Sequence, residues 1–210
     1  MIVVYTAHAG ERDFIRPAKR IDGRITYAVF TDDTATGDYD EILNLRDFSD
    51  DPTYMKRRTA KAPKVLSHLY FPRAEMTVWC DSNRYCCATA QQLEDAVGDA
   101  EIGLFRHEST TCAYHEAKDC YGRHDYQERL EAQTAHYRLS KFPKNYGLYN
   151  GYFIIRRNTP AVQAFELAWW EQICRFSSRD QISMPYALWR TRPKVAILKN
   201  HEPQLMGVYT

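Results

Sequence analysis

The sequence has almost no net charge and no long apolar run. Its 28 Lys and Arg residues nearly balance its 27 Asp and Glu residues, which gives a formal net charge of +1. Because charges of both signs are dispersed along the chain, we expect no broad electrostatic field for nucleic acid or a membrane surface. No segment approaches the roughly 18 continuous apolar residues that a membrane-spanning helix needs. We therefore expect neither a nucleic-acid partner nor a membrane span.

The sequence also lacks the cysteine spacing of a zinc site or of a disulfide framework. Its 6 cysteines form no Cys-x-x-Cys pair and no Cys and His cluster with zinc-finger spacing. Cys86 and Cys87 are adjacent, which is awkward for a disulfide framework. We therefore expect reduced thiols in a cytoplasmic protein. The segment from Met1 to Thr6 reads as a strand rather than as the apolar core of a signal peptide.

What the sequence does contain is an alternation of strand-like and helix-like segments, without an internal repeat or a low-complexity linker. This alternation predicts an α/β fold with a mixed, mostly parallel sheet that helices cover on both faces. We expect one domain over residues 1–210, which could belong to a longer polypeptide. The predicted strands are 2–5, 25–31, 76–80, 102–105, 152–156 and 195–198. The predicted helices are 55–70, 88–97, 111–121, 126–139, 161–176 and 180–189.

Polar side chains follow three of the predicted strands. Thr6 and Asp32 follow the first two strands, and Asp81 and Asn83 follow the third in the run Trp-Cys-Asp-Ser-Asn. The carboxyl ends of parallel strands meet at one edge of the sheet, where open α/β sheets bind ligands. A carboxylate and an amide two residues apart both suit a hard divalent cation, which prefers oxygen ligands. We predict a cation that holds a diphosphate here, although these residues are also common in turns.

A basic segment precedes the third strand. Arg57, Lys61 and Lys64 recur at helical spacing, so one face of the predicted helix is cationic. Basic side chains stabilise the negative charge that develops on a leaving diphosphate. A solvated helix face is the alternative interpretation.

Three later residues are further candidates for the same site. Asn150 lies in a predicted polar turn, residues 147–152, and offers a donor and an acceptor to sugar hydroxyls. Asp180 opens a predicted helix, whose dipole favours the ionised form that a general base needs; an N-cap is the alternative. His201 follows the last predicted strand, where a neutral imidazole would complete the shell of the cation.

The ordered set of segments resembles a glycosyltransferase-like family, formerly called a domain of unknown function, that includes plant cell-wall members. The matching segments include YAVFTD, WCDSN, GLYNGYFIIRRN and SRDQISMPYALW, and they run in order to about residue 190. The resemblance implies a GT-A fold that binds a nucleotide sugar with Mn²⁺ or Mg²⁺. Members of that fold usually carry Asp-x-Asp, whereas this chain has Asn83 as the second residue. The amide lowers the charge of the site, so metal affinity is expected to be modest.

The resemblance also implies a role for each candidate residue. The implied metal ligands are Asp81, Asn83 and His201. The implied donor contacts are Thr6 and Asp32 for the nucleoside; Arg58, Lys61 and Lys64 for the diphosphate or nucleoside; Asp81 for the diphosphate; and Asn150 for a sugar. Asp180 is the implied general base of an inverting reaction.

The resulting expectation is a metal-dependent glycosyltransferase, of the hexosyl- or deoxyhexosyltransferase type. It would move a sugar from a nucleotide-sugar donor, with UDP as the usual nucleotide of this fold, to a hydroxyl of a glycan or glycoprotein. A sugar-phosphate nucleotidyltransferase is one alternative, but it normally has a Gly-rich basic loop after the first strand, where residues 7–12 contain one Gly. A non-catalytic carbohydrate-binding module is the other alternative, because Asn83 replaces an acid.

Overall fold

The computed structural model describes residues 1–8, 16–32, 38–45, 55–122, 125–199 and 205–209. Its strands are β1 (Ile2–His8), β2 (Ile25–Thr31), β3 (Glu41–Asn44), β4 (Met76–Cys80), β5 (Arg84–Cys86), β6 (Ile102–Arg106), β7 (Tyr149–Arg157), β8 (Val195–Leu198) and β9 (Met206–Val208). Its helices are α1 (Met55–Val65), α2 (Ser67–Tyr70), α3 (Ala90–Val97), α4 (Ala113–Asp119), α5 (Gln127–Leu139), α6 (Pro160–Arg175) and α7 (Asp180–Thr191).

Seven of the described strands form one central sheet in the order β3-β2-β1-β4-β7-β6-β8. The pairs β1–β2, β1–β4, β2–β3 and β6–β8 are parallel, and β7 is antiparallel to both of its neighbours. Every strand of this central sheet except β7 therefore runs in the same direction. The predicted mixed, mostly parallel sheet is confirmed. β5 and β9 form a separate antiparallel pair beside it.

The central strands are buried along their whole length because helices or loops cover both faces of the sheet. Alternate side chains of β1 enter two different cores. Val3 and Tyr5 belong to the first core, which includes side chains of α1, α6 and α7. Val4 belongs to the second core, where α3 contributes Leu93. A third cluster joins α4 and α5 to α7.

Several element boundaries differ from the sequence prediction. The predicted helix 55–70 is interrupted at Leu66, between α1 and α2. Thr6 lies inside β1 rather than after it, because its β-branched side chain continues the ladder opposite Val29. Asn150 lies inside β7 rather than in a turn, at a register irregularity opposite Phe105. The strands β3, β5 and β9 were not predicted. β5 and β9 have only three residues each, and β3 is a largely exposed strand at the edge of the sheet.

Two expected absences concern cysteines and membrane helices. All six cysteines are free thiols in the structure. Within the described part of the chain, each helix is too short or too polar to cross a bilayer.

Candidate functional site

The carboxyl end of β4 carries Asp81 into a tight turn. The backbone N–H of Asp81 donates to the carbonyl of Tyr152 at 2.9 Å, and the N–H of Arg84 donates back to the carbonyl of Asp81 at 2.8 Å. This turn leaves the Asp81 side chain 40 % exposed. Asn83 is exposed in the same turn, and its backbone carbonyl accepts a hydrogen bond from the backbone N–H of Tyr209 at 3.1 Å. The predicted pair of oxygen donors therefore lies at an accessible edge of the sheet.

The two carboxylate oxygens of Asp81 have different surroundings. Oδ1 accepts a hydrogen bond from Trp79 Nε1 at 2.7 Å and another from Lys64 Nζ at 3.0 Å. Oδ2 accepts no hydrogen bond from any residue that the structure describes. One oxygen is thus held by Trp79 and Lys64, and the other has no hydrogen bond from the described part of the chain.

Lys64 connects Asp81 to Asp180, the first residue of α7. Lys64 Nζ lies 2.6 Å from Asp180 Oδ2, and Lys61 Nζ lies 2.9 Å from the same oxygen. The side chains of Lys64 and Asp180 are each 3 % exposed, whereas that of Lys61 is 22 % exposed. We call Lys61, Lys64, Asp81 and Asp180 the charged cluster. The two positive charges of its lysines equal in number the two negative charges of its aspartates.

Burial and neighbouring charges act in opposite directions on the pKa values of the charged cluster. Burial alone would lower the pKa of Lys64, but Asp180 and Asp81 outweigh it and raise that pKa. Burial would raise the pKa of Asp180, but Lys61, Lys64 and Arg179 outweigh it and hold that pKa well below its usual range. Burial lowers the pKa of Lys61, and Asp180 offsets this effect only in part. At neutral pH, Lys64 is therefore cationic and Asp180 is ionised.

Gly151 in β7 makes room for this arrangement. A Cβ atom at position 151 would lie 3.0 Å from Asp180 Oδ2 and 3.1 Å from Lys64 Nζ. Those two atoms are fixed by burial and by their ion pair. A glycine is therefore favoured here, because a Cβ atom would force Asp180 and Lys64 to shift by a few tenths of an ångström.

A buried polar network holds the end of α1, where Lys64 lies. Tyr5 donates its hydroxyl hydrogen to the carbonyl of Pro63 at 2.9 Å, and Arg156 donates to the carbonyl of Val65 at 3.3 Å. Arg156 also donates to the Tyr5 hydroxyl and pairs with Glu166 at 2.9 Å, with both charged side chains fully buried. Because Pro63 lies inside the helix and cannot donate a backbone hydrogen bond, these side-chain contacts stabilise a weakened last turn.

Two other predicted site residues, Arg58 and Asn150, form hydrogen bonds within the protein. Arg58 Nη2 donates to the carbonyl of Phe176 at 2.8 Å, so it ties α1 to the end of α6. Asn150 is buried, and its amide donates to the carbonyl of Arg106 at 3.0 Å and to the hydroxyl of Tyr152 at 3.2 Å.

The two residues predicted to contact the nucleoside differ in exposure. Asp32 is exposed directly after β2, at the same edge of the sheet as Asp81. Thr6 is buried, and its hydroxyl has no hydrogen-bond partner among the described residues. Thr6 lines a cavity on the face of the sheet that carries the second core, together with Cys80 and Arg84. His201 lies outside the described residues.

The sequence pattern did not single out Trp79 as a site residue. The signal for Trp79 was present, because residues two apart in an extended strand point to the same side. The pairing of Lys61 and Lys64 with Asp180 had no local signal. It arises only where α7 and β7 meet the end of α1.

The described residues suit a divalent cation in chemistry and in accessibility. Asp81 Oδ2 and the Asn83 amide are hard oxygen donors at an exposed turn. Among the described residues, no group of three or more His, Cys, Asp or Glu side chains has the arrangement of a metal site. The two oxygen donors at this turn would therefore need further ligands, from the substrate or from elsewhere in the chain.

A mixed α/β sheet with a charged cluster at the carboxyl edge of a central strand is the arrangement of an α/β domain that binds a ligand at that edge. Residues 2–203 match the model of the TOD1/MUCI70 glycosyltransferase-like domain, and the chain belongs to that family. This membership confirms the predicted family resemblance and the predicted glycosyltransferase class.

A curated plant relative and a solved animal structure are also similar to the chain. The chain is 27% identical over 157 residues to the probable hexosyltransferase MUCI70 of Arabidopsis thaliana, a match that covers 69% of this chain and 26% of the relative. The chain thus spans about a quarter of the length of that relative. The apo crystal structure of mouse xyloside xylosyltransferase 1 superposes with a TM-score of 0.48 at 9% identity, over 94% of this chain and 84% of the other.

Proposed function

We propose that this domain transfers a hexosyl-type sugar from a UDP-sugar to a hydroxyl of a glycan or glycoprotein, with Mn²⁺ or Mg²⁺ bound at Asp81. The charged cluster at the carboxyl edge of β4 is the observation that carries this proposal. It combines a half-exposed carboxylate with two lysines, which are the groups that bind a metal-linked diphosphate. Family membership and the name of the Arabidopsis relative support the hexosyl group.

The residues that would hold the cation are Asp81, through Oδ2, and Asn83. A bound cation would neutralise negative charge on the diphosphate as it leaves. Because Asn83 contributes no charge, we expect weaker metal binding than at a pair of carboxylates. His201 remains a predicted third ligand, outside the described residues.

The two lysines of the charged cluster have separate roles in this proposal. Lys61 is the more exposed lysine, so it is the one that would donate to a phosphate oxygen. Lys64 is buried between Asp81 and Asp180, and it would hold the Asp81 carboxylate in place. Arg58 already donates to a backbone carbonyl, which makes it a weaker candidate for a phosphate contact.

The prediction that Asp180 is the general base of an inverting reaction stays a prediction. A carboxylate whose pKa is held well below its usual range is a weak base. Both nearby lysines also engage the same oxygen, Oδ2. These contacts favour a role in which Asp180 orients Lys61 and Lys64 for the donor.

Non-catalytic binding of a nucleotide sugar is the second candidate function. It is favoured by Asn83, which stands where the fold usually has an acid, and by the depressed pKa of Asp180. Slow hydrolysis of the donor, with release of free sugar and UDP, would contradict it.

Calorimetry of UDP with and without Mn²⁺ tests the proposed site. We expect Mn²⁺-dependent binding to the unsubstituted protein and its loss in Asp81→Ala, because the substitution removes the metal ligand and the partner of Lys64. Asp95→Ala is the matched control, since Asp95 is an exposed residue of α3 whose side chain accepts a hydrogen bond from Gln91 of the same helix. Unchanged Mn²⁺-dependent binding in Asp81→Ala would remove the metal assignment.

A further inference from the structure

We propose that Trp79 is a positioning residue for Asp81: its indole N–H holds Oδ1, so that Oδ2 is the oxygen presented to the cation. This inference rests on the proposed function above. It adds a residue that does not touch the substrate but determines the orientation of one that does.

The indole is held rigidly in the core. Trp79 lies in β4 and is 3 % exposed. Its ring makes an edge contact with Tyr5, with centroids 5.3 Å apart. Trp79 and Asp81 are two residues apart, and the extended backbone directs both side chains toward α1. The position of the indole N–H is therefore set by packing before any ligand binds.

Two donors converge on one oxygen of Asp81. Trp79 Nε1 lies 2.7 Å from Oδ1, and Lys64 Nζ lies 3.0 Å from the same atom. The two oxygens of a carboxylate are equivalent and its terminal torsion is broad, so without these donors the plane of the Asp81 carboxylate would not be set. With both donors on Oδ1, this plane is set, and Oδ2 is the oxygen without a hydrogen bond from the described residues.

Trp79 also contacts the second donor. The Lys64 ammonium group lies 5.4 Å from the centroid of the Trp79 ring, within the range of a cation–π interaction. The indole thus orders both members of the Lys64–Asp81 pair. A phenylalanine at position 79 would keep a ring face and most of the packing but would remove the N–H.

Trp79→Phe isolates the hydrogen bond. With UDP at saturating concentration, the apparent Kd for Mn²⁺ would be measured from the electron paramagnetic resonance signal of the free ion. We expect this Kd to rise about tenfold, because outer-shell partners of metal ligands typically contribute about 10- to 100-fold to metal affinity.

Trp189→Phe is the matched control for this variant. Its ring packs against Phe142, at 5.6 Å between centroids, in the third cluster rather than at the site. We expect no change in its Kd for Mn²⁺. An equal Kd for Mn²⁺ in Trp79→Phe and the unsubstituted protein would overturn the inference. So would an equal rise in both variants, which would indicate a general loss of packing.

Nuclear magnetic resonance of the indole N–H groups tests the hydrogen bond without relying on the folding of Trp79→Phe. The sequence has 4 Trp residues, and substitution of the other three identifies the Trp79 signal by elimination. In Asp81→Ala this signal should shift and its proton should exchange faster with solvent. An unchanged Trp79 signal would overturn the inference even if Mn²⁺ binding is as proposed. Absence of Mn²⁺-dependent UDP binding in the unsubstituted protein would overturn the proposed function and this inference together.

Discussion

At the scale of single residues, Asp81 and Asp180 have identical side chains that are suited to different roles, because their exposure to solvent differs. The Asp81 side chain is 40 % exposed, and its two hydrogen bonds from described side chains both reach Oδ1. Asp180 is 3 % exposed, and one of its oxygens lies against two lysines. The first is suited to bind a ligand, and the second is suited to fix the charges that surround it. The burial that separates them is set by the turn after β4 and by the start of α7.

The close approach at Gly151 gives a prediction for Gly151→Ala. The added methyl group would meet Asp180 Oδ2 and Lys64 Nζ at about 3 Å. We expect the free energy of unfolding to fall by about 1–3 kcal/mol, as for other overpacked sites, and UDP affinity to fall as well. Urea denaturation and calorimetry measure the two effects.

Gly23→Ala is the control for Gly151→Ala. Apart from its chain neighbours, no described residue has an atom within 4 Å of a Cβ atom at Gly23, so we expect a change within about 0.5 kcal/mol. Equal effects of the two substitutions would show that the space at position 151 is not limiting.

The depressed pKa of Asp180 gives a prediction for the pH dependence of stability. A carboxyl group whose pKa is lower in the folded state than its unfolded value of about 3.9 stabilises the fold above that value. This contribution is lost as pH falls from about 4 toward the folded pKa. At pH 7, Asp180→Asn should lower the free energy of unfolding by roughly 3–5 kcal/mol, because Lys61 and Lys64 lose their shared partner. The difference from the unsubstituted protein should narrow below about pH 4.

Urea denaturation at several pH values measures this difference, with Asp95→Asn as an exposed control. A deficit that stays constant from pH 7 to pH 3 would contradict an ionised, ion-paired Asp180.

The same variant also separates two roles of Asp180. Loss of a general base would lower kcat and leave donor affinity unchanged, whereas loss of an orienting contact would weaken donor binding.

At the scale of elements, the end of α1 depends on contacts from β1, β7 and α6. Glu166 of α6 accepts hydrogen bonds from the Ser67 hydroxyl at 2.5 Å and from the His68 backbone at 3.1 Å, and it pairs with Arg156. Arg156 in turn donates to the carbonyl of Val65. The helix end that carries Lys64 is therefore held by a buried charge pair in addition to its own backbone hydrogen bonds.

Glu166→Gln tests this network. The substitution keeps the shape of the side chain and leaves the Arg156 guanidinium group buried without an anion. We expect the free energy of unfolding to fall by about 3–5 kcal/mol, measured by urea denaturation.

Glu171→Gln is the matched control on the same helix. Glu171 pairs with Arg175 and Arg190 and is 41 % exposed, so we expect a loss of at most about 1 kcal/mol. Similar losses in the two variants would contradict the importance of the buried network.

At the scale of the whole molecule, the fold class was predictable from the sequence because it depends on local pattern. The segments 25–31 and 195–198 were predicted as strands with the bounds that the structure gives. The antiparallel direction of β7 between β4 and β6 was not predicted. The direction of β7 depends on the path of the chain from β6 through α4 and α5, and hydrophobic periodicity carries no information on that path.

The sequence by itself determined the alternation of strands and helices, the burial of the central strands, and the presence of Asp81 and Asn83 directly after β4. These features follow from residue types and spacing over a few positions. Tertiary structure alone decided that Asp180 meets Lys61 and Lys64, that Gly151 gives them room, and that Asn150 is engaged inside β7. Those contacts join residues far apart in the chain, and a charge is attracted only to the partner that folding brings within a few ångströms of it.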